Sequence, residues 1–307
     1  MAASAVVESG ATRAAVLGPM RLPFLVLPPM CVLLGAATAA LTGAAIDPVQ
    51  FAIVLVGAVA AHISVNALNE YSDFRVGLDQ QTKRTPFSGG SGALPKHPEK
   101  AHYALLTGLV SALIVVAVGL FFISVRGLAM LPIGALGLVA VIGYTPWMTR
   151  QWLLCLLSPG VGFGVAMVIG SCVALGGGYT WPALVASLVP TFLVSDLLLL
   201  NQFPDVDADR TVGRSNVLLV FGRRAGAIIY AAFLAGAYLA IVVGWAIGLF
   251  PALALLGLAT ALIAVPTALG ALRHAEQTEQ LVPLLGRNVL INLATPALLA
   301  LGIWLGH

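Results

Sequence analysis

The feature that most constrains this chain is a series of long apolar segments, each about 20 residues in length. A helix of roughly that length crosses the hydrocarbon core of a bilayer and satisfies its own backbone hydrogen bonds there. We count about nine such segments. Their approximate limits are 22–45, 48–69, 102–123, 127–146, 152–175, 180–203, 225–247, 251–272 and 288–306. The chain is therefore predicted to be all-α, a polytopic membrane bundle of about nine transmembrane helices.

The composition agrees with a chain that is surrounded by lipid. Only 9% of the residues are charged and 60% are hydrophobic, whereas soluble domains carry about 25% charged residues. This deficit excludes an ordinary soluble protein of 307 residues. We expect the lipid bilayer as a partner and no nucleic acid. The sequence does not indicate the oligomeric state.

The basic residues give the orientation. If the segments alternate across the membrane, Arg126 alone of the 15 Lys and Arg residues falls on the outer side. The positive-inside rule then places the N-terminus and the two long polar connections, 70–101 and 204–224, in the cytosol. We expect a cytoplasmic (inner) membrane protein with a disordered cytosolic tail at 1–21. Residues 22–307 then form one transmembrane domain, capped by the connections after helices 2 and 6.

Amides and carboxylates cluster where the second apolar segment ends. They recur at helical spacing and so share one face of a helix. These residues are His62, Asn66, Asn69, Glu70 and Asp73, in the stretch HISVNALNEYSD. Gly77 is predicted to end this helix, so that Asp79 folds back from the loop.

A second acidic cluster follows the sixth apolar segment, in the stretch NQFPDVDADRTVGR. Asn201, Asp205 and Asp209 are spaced at i, i+4 and i+8 and again share one helix face. Pro204 removes a backbone donor and is expected to kink or loosen the helix. Both clusters lie at the predicted cytosolic end of a helix. One acidic loop would usually be solvated surface, but two matched clusters on the same side favour a site.

The residue types indicate Mg²⁺ and a diphosphate. Stacked carboxylates repel one another unless a cation lies between them, and oxygen ligands suit Mg²⁺, which commonly bridges to substrate phosphates. The predicted metal ligands are Asn69, Glu70, Asp73, Asp79, Asn201, Asp205 and Asp209. Lys83, Arg84 and Arg214 are predicted to contact phosphate oxygens.

These motifs resemble those of the UbiA superfamily of intramembrane prenyltransferases. NEYSD, together with Asp79, is similar to the family's first aspartate motif, with Glu70 where an Asp is usual. DVDAD is similar to the second motif through Asp205 and Asp209. The form of the first motif is closest to the branch that prenylates 1,4-dihydroxy-2-naphthoate in menaquinone synthesis. YTPWMTR, from Tyr144 to Arg150, resembles the Tyr…Lys/Arg element of the family.

The resemblance implies a Mg²⁺-dependent transfer of an isoprenyl group from an allylic diphosphate to an aromatic acceptor. It implies catalytic roles for Asp73, Asp205 and Arg150, and we add Asp196 as a catalytic candidate because it is a carboxylate inside an apolar segment. It also implies substrate contacts from Asn66, Lys83, Arg84, Tyr144 and Arg214. The acceptor expected from the branch is 1,4-dihydroxy-2-naphthoate or a related quinone precursor.

Two questions stay open at the level of sequence. Asp196 lies inside an apolar segment, where a carboxylate is a functional candidate. It is a base in the acceptor pocket, a partner of His62, or a protonated residue bonded between helices. The alternative function is a transporter or cation channel with acidic cytosolic mouths. A transporter usually places its polar residues at the midplane of the membrane, whereas here they gather at the cytosolic edge.

Overall fold

The chain folds as a bundle of helices. The computed structural model describes residues 2–82, 84, 85 and 87–307, with side chains from residue 10 onward. Its α-helices are α1 Ala2–Leu17, α2 Leu27–Leu41, α3 Pro48–Arg75, α4 Leu78–Gln81, α5 Ala93–Lys96, α6 Ala101–Arg126, α7 Met130–Gly143, α8 Trp152–Val161, α9 Gly170–Ala174, α10 Trp181–Thr211, α11 Val217–Phe221, α12 Arg223–Ala246, α13 Ala261–Arg273 and α14 Thr278–Gly306. Within the described residues no strand is present, so the all-α prediction is confirmed.

Many of these helices are long and apolar enough to cross a membrane. The described residues contain 7 such stretches, or up to 8 if one bent pair of helices counts as a single span. The chain is therefore a multi-pass membrane protein. One stretch, Pro98–Gly143, has 46 residues and contains both α6 and α7. These two helices are joined at Gly127 and pack against each other. The predicted total of nine spans stays a prediction.

The first apolar segment is broken, although the sequence predicted one span over 22–45. Helical residues Gly10–Phe24 and Leu27–Leu41 meet at an angle of 47°. Arg21 has a left-handed backbone with φ 50° just before the break, and Pro23 follows in a short 3-10 turn. Pro28, in the first turn of α2, has no backbone N–H and cannot donate a hydrogen bond. Backbone chemistry therefore explains the bend.

The predicted disorder of the tail at 1–21 is wrong for most of that range, because α1 occupies it. Ala15 of α1 is fully buried and packs with Leu94 and Ala104. These small side chains allow the N-terminal helix to lie close to the connection that follows α3. The segment is thus part of the folded structure.

Capping residues fix the ends of the helices that carry the two acidic motifs. The Asp47 carboxylate accepts from the amides of Val49 and Gln50 at the start of α3, at 2.8 and 2.9 Å. Gly77 adopts φ 77° beyond the last turn of α3 and opens the short α4. The prediction that Gly77 ends this helix is confirmed.

The largest hydrophobic cluster surrounds α10, which is the most buried of the candidate spans. It packs against α2, α8, α12 and α14. Gly160 on α8 and Gly164 on the π-helical stretch that follows, Gly162–Ile169, allow a close approach to α10, since a Cβ at either position would overlap Thr191. α10 continues through Pro204 to Thr211, and the kink or loosening expected at Pro204 stays a prediction. The second acidic motif is therefore held on a long, largely buried helix.

Candidate functional site

The two acidic motifs meet at a single cavity. The cavity has a volume of about 580 Å³. Its polar residues from the first motif are Asn66, Asn69 and Asp73 on α3 with Asp79 on α4, and those from the second are Asn201, Asp205 and Asp209 on α10. Residues that are far apart in the chain thus share one chamber, because α4, which follows α3, packs against α10 and both motifs line the same space.

Arg214 connects the two motifs directly. Its guanidinium forms an ion pair with the Asp73 carboxylate from the first motif. It also donates to Asp209 of the second motif, at 3.1 Å. Burial alone would lower the pKa of Arg214, but the carboxylates of Asp73 and Asp209 outweigh it and raise that pKa further above its usual value. Arg214 is therefore a permanent positive charge between the motifs.

A short turn after α10 holds the far side of this arrangement. The Asn216 amide donates to the second oxygen of Asp209 at 2.9 Å. The side-chain oxygen of Asn216 also caps α11 by accepting from the Leu219 amide at 3.0 Å. Both oxygens of Asp209 are thereby fixed, which orients the carboxylate before any ligand binds.

Three of the other oxygens at this end of the cavity have no partner among the described residues. Asp79 Oδ2, Asn201 Oδ1 and Asp205 Oδ1 are buried, line the cavity, and accept no hydrogen bond from the described residues. Burial, reinforced by the carboxylates of Asp73 and Glu70, raises the pKa of Asp79 to about 7. Unpartnered acceptors that face a shared space are costly without a cation or a donor. The chamber thus has the electrostatics of a cation site.

The donor set fits Mg²⁺ in an open site. Within the described residues no three His, Cys, Asp or Glu side chains form a closed metal cage. Mg²⁺ does not need one, because it binds through one or two carboxylates and completes its octahedron with waters and phosphate oxygens. Unpartnered oxygens on two helices, with amide oxygens beside them, match that requirement.

Below the charged mouth the cavity becomes apolar and reaches the lipid-facing surface. Its wall there comes from α6, α7 and a π-helical stretch, Gly162–Ile169, that continues α8. Val116, Leu120 and Leu131 line this part of the cavity and are also exposed on the outside of the bundle. The chamber therefore extends from a polar end to the membrane-facing side chains.

Between the two ends lies a band of polar atoms without partners. Asn66 Nδ2, both ring nitrogens of His62 and Ser158 Oγ are buried and line the cavity. The His62 ring meets Phe163 edge-on, with 5.2 Å between the ring centroids. The unpartnered oxygens at the mouth can only accept hydrogen bonds. This band, in contrast, includes an amide donor and groups that can either donate or accept hydrogen bonds. Its chemistry suits oxygen atoms of a ligand.

Several residues predicted for the site lie elsewhere. Glu70 is buried but does not line the cavity; Ser91 donates to both of its oxygens. Arg84 is exposed and its guanidinium lies against Gly92. Arg150 is exposed and does not line the cavity. Lys83 lies outside the described residues.

Asp196 is fully buried away from the cavity. Its backbone carbonyl accepts from the Asn288 amide at 3.4 Å, and its carboxylate oxygens have no partner among the described residues. Both ring nitrogens of His62 also lack a partner, so the predicted pairing of Asp196 with His62 is wrong. Tyr144, in contrast, lines the cavity. Burial raises the pKa of Tyr144, which keeps its phenol neutral.

Sequence reasoning missed other polar residues of the wall. They are Arg21, Ser88, Thr149, Gln202 and Asn216. Arg21 belongs to the bend before α2, and Ser88 to the connection after α4. Helical periodicity carries no information on such loop residues. The sequence did contain one signal for Asn216. An Asn directly before an apolar run such as VLLVF is typical of the residue that caps the start of a helix.

Comparison with known proteins decides the family. The model of the UbiA prenyltransferase family matches residues 27–304, which is most of the chain and includes both acidic motifs. The chain belongs to the UbiA prenyltransferase family. Membership does not favour the transporter or channel alternative.

Relatives and solved structures place this UbiA-family protein more closely. It is 26% identical over 213 residues to the 1,4-dihydroxy-2-naphthoate octaprenyltransferase of Bacillus subtilis (strain 168). The match covers 66% of this chain and 63% of that relative, so it spans a little under two thirds of the relative's length.

Two solved structures share the fold. The apo UbiA homolog from Aeropyrum pernix K1 has a TM-score of 0.67 at 18% identity, covering 90% of this chain and 96% of that one. A UbiA homolog from Archaeoglobus fulgidus, bound to DMAPP and Mg²⁺, has a TM-score of 0.56 at 14% identity, covering 92% of this chain and 98% of that one.

Proposed function

We propose that this UbiA-family protein transfers an isoprenyl group from an allylic diphosphate to an aromatic acceptor at the membrane surface. The observation that carries the proposal is the shared chamber. Carboxylates from two distant motifs face one space, and a single buried arginine contacts both motifs. An anionic ligand with bound cations would complete the charge balance there.

The mouth of the chamber supplies the diphosphate site. We propose Asn69, Asp73, Asp79, Asn201, Asp205 and Asp209 as the side chains that hold Mg²⁺. When bound, Mg²⁺ neutralises negative charge on a departing diphosphate, an effect worth about several kcal/mol. The Archaeoglobus homolog bound to DMAPP and Mg²⁺ supports this assignment.

The chain's own groups would then prepare the substrate for ionisation. Arg214 is charged, and two carboxylates hold it in place, so its remaining donors can bind a phosphate oxygen. The allylic C–O bond breaks with its electron pair leaving on the diphosphate. A ring carbon of the acceptor attacks the allylic cation, and the proton on that carbon passes to the released diphosphate, which restores the aromatic ring. The apolar wall below the mouth excludes water, which would otherwise capture the cation.

The middle band of the chamber favours an acceptor that carries oxygen substituents. His62, Asn66 and Ser158 provide unpartnered polar atoms just below the mouth. A dihydroxylated aromatic ring would satisfy such atoms at the point where the prenyl carbon becomes reactive. We propose 1,4-dihydroxy-2-naphthoate or a related quinone precursor, and the naphthoate relative supports this choice.

The direction of the chain in the membrane is also a proposal. The excess of basic residues on one set of connections supports a cytosolic N-terminus and a chamber mouth at the inner face of a cytoplasmic membrane. A water-soluble diphosphate head would then enter from the cytosol while its tail lies among the helices.

The test is a direct assay of the purified protein in lipid nanodiscs. Labelled geranyl diphosphate is supplied with Mg²⁺ or with EDTA and with a panel of aromatic acceptors that includes 1,4-dihydroxy-2-naphthoate. We expect diphosphate and prenylated product in equal amounts, only with Mg²⁺. Absence of diphosphate release for every acceptor, and for a longer allylic diphosphate, would overturn the proposal. Product from another acceptor alone would overturn the naphthoate assignment and leave the transferase.

A further inference from the structure

A glycine-rich loop forms one side of the chamber mouth. We define the glycine-rich loop as residues 84–92, of which Pro86 lies outside the described part. Four of its residues, Phe87, Ser88, Gly89 and Gly90, line the cavity. The loop therefore contributes to the wall that faces the proposed diphosphate site.

Glycine is required for the path of this loop. Gly89, Gly90 and Gly92 all have positive φ, between 72° and 80°, a region that other residues rarely adopt. A Cβ on Gly90 would lie 2.9 Å from Asp79 Oδ1, which is too close for an ordinary contact. The loop thus passes directly against a carboxylate of the site. Such a backbone is flexible unless other groups hold it.

Glu70 holds the loop at its end. The backbone amide of Ser91 donates to Glu70 Oε2 at 3.0 Å, and the Ser91 hydroxyl donates to Glu70 Oε1. The same hydroxyl accepts from the Ala93 amide at 3.1 Å. Glu70 is only 1% exposed, so both bonds are shielded from water. Both carboxylate oxygens are therefore used within the protein.

The neighbours of Glu70 on α3 behave differently. Asn69 and Asp73 line the cavity, whereas Glu70 does not. We propose that Glu70 is a positioning residue, which fixes the glycine-rich loop over the chamber mouth through Ser91 and does not bind the metal. The longer side chain of Glu relative to Asp provides the reach to Ser91.

One further contact ties the loop to the second half of the protein. The Phe87 ring lies close enough to Gly286 of α14 that a Cβ there would be 3.4 Å from it. Ser88, whose hydroxyl is paired with that of Thr85 within the loop at 2.9 Å, lines the same cavity as Asp205 of the second motif. With Glu70 and Ser91 at the other end, the loop is held between the first motif and α14. We therefore expect a substitution of Glu70 to loosen the loop whether or not a metal ion is bound.

Two variants of Glu70 and one of Ser91 test the role. Glu70→Gln keeps the length and removes the charge, Glu70→Asp keeps the charge and removes the reach, and Ser91→Ala removes the hydroxyl. The first readout is hydrogen exchange of the backbone amides at 87–92 in metal-free protein, which does not depend on the proposed function. We expect all three variants to raise exchange, by about tenfold for Glu70→Gln and Glu70→Asp, because each loses or weakens the charge-assisted hydrogen bonds to Ser91.

The second readout uses turnover and rests on the proposed function. We expect a higher KM for the allylic diphosphate in both Glu70 variants and a Mg²⁺ concentration for half-maximal rate that stays within about twofold of wild type. Asp73→Asn is the comparison, with altered Mg²⁺ dependence and unchanged loop exchange. If Glu70→Gln changes the Mg²⁺ dependence while loop exchange stays the same, Glu70 is a metal ligand and the inference is overturned. Unchanged exchange in Glu70→Asp overturns it as well. If no variant or wild-type protein turns over, the exchange data still decide the role of Glu70.

Discussion

Arg214 sets the charge balance at the scale of single residues. It is mostly buried and contacts Asp73 and Asp209, which come from different motifs. Removing one partner from a buried ion pair leaves a charge without compensation, which costs about 3–5 kcal/mol. The two motifs would then repel each other across the chamber. Arg214 is therefore expected to stabilise the apo protein as well as to bind substrate.

We predict that Arg214→Ala lowers the thermal unfolding temperature of the metal-free protein by several degrees. Millimolar Mg²⁺ should recover part of this loss, because a cation can replace the missing charge between the carboxylates. The measurement is thermal unfolding in detergent with and without Mg²⁺. Arg210→Ala, at an exposed position on α10, is the control and should unfold like wild type. Equal unfolding temperatures for Arg214→Ala and wild type would contradict the prediction.

The carboxylates of the two motifs should be needed together. We predict that Asp73→Ala and Asp205→Ala each lower turnover by about a thousandfold or more, since each removes a proposed ligand that bears charge in the transition state. Both variants should keep the size-exclusion profile of wild type, and Asp73→Ala should unfold at a somewhat lower temperature because Arg214 loses one of its two partners. Asp207→Ala is the matched control, because Asp207 lies between the motif aspartates but is exposed. Retained activity in either variant would remove that residue from the site.

Sequence periodicity predicted part of the site and missed the rest for a clear reason. Asn69 and Asp73 are four residues apart on α3 and both line the cavity. Glu70 has compatible helical spacing as well, yet it turns to Ser91, some 20 residues along the chain. Spacing gives the face of a helix but not the loop that covers it. For the same reason Arg21 and Ser88, both in connections, carried no signal.

At the scale of elements, the contact of α8 with α10 holds the chamber wall to the core. Gly160 and Gly164 face α10 so closely that a Cβ on either would overlap Thr191. We predict that Gly160→Ala forces the helices apart and lowers the unfolding temperature by several degrees, since overpacking typically costs about 1–3 kcal/mol.

The control for this prediction, Gly162, lies two residues further along the chain and faces away from α10. A Cβ on Gly162 would sit 3.9 Å from Ala140, which is an ordinary contact. Gly162→Ala should therefore unfold like wild type. Both variants are compared by thermal unfolding in the same detergent. An unfolding temperature for Gly160→Ala as high as that of Gly162→Ala would show that α8 can move without cost.

Apolar segments predicted the existence of the helices better than their internal form. The segment predicted over 22–45 contains a 47° bend, for which Pro23 and Pro28 were readable signals. The π-helical stretch Gly162–Ile169 had no such signal, because its geometry follows from packing against α10 and α7. Pro204 does not end α10, which runs on to Thr211. Tertiary contacts decide these details, and the sequence of one element does not contain them.

At the scale of the whole molecule, the chamber joins a charged mouth to the lipid-facing wall. Gly119 on α6 lines the apolar part, and a Cβ there would meet no atom within 4 Å. We predict that Gly119→Phe fills this space and lowers kcat/KM for geranylgeranyl diphosphate by about tenfold relative to dimethylallyl diphosphate. Loss of room for two CH₂ groups, at about 0.8 kcal/mol each, accounts for that ratio.

The matched control is Leu113→Phe, on the same helix but exposed and away from the cavity. It should leave the ratio of the two rates unchanged. Competition between the two diphosphates in one reaction measures the ratio directly. An equal loss for both substrates in Gly119→Phe would mean that the side chain disturbs the mouth rather than the tail region.

The exposed side chains of Val116, Leu120 and Leu131 on the cavity wall have a consequence for release. In the proposed reaction the prenyl group has lost its diphosphate, and its apolar tail favours hydrocarbon over water. The product would then move sideways from the protein into the bilayer, while diphosphate would leave to water by the opposite end. The two products then part in different phases, so neither obstructs the other, and the packing of neighbouring acyl chains becomes one of the factors that set the pace of the cycle.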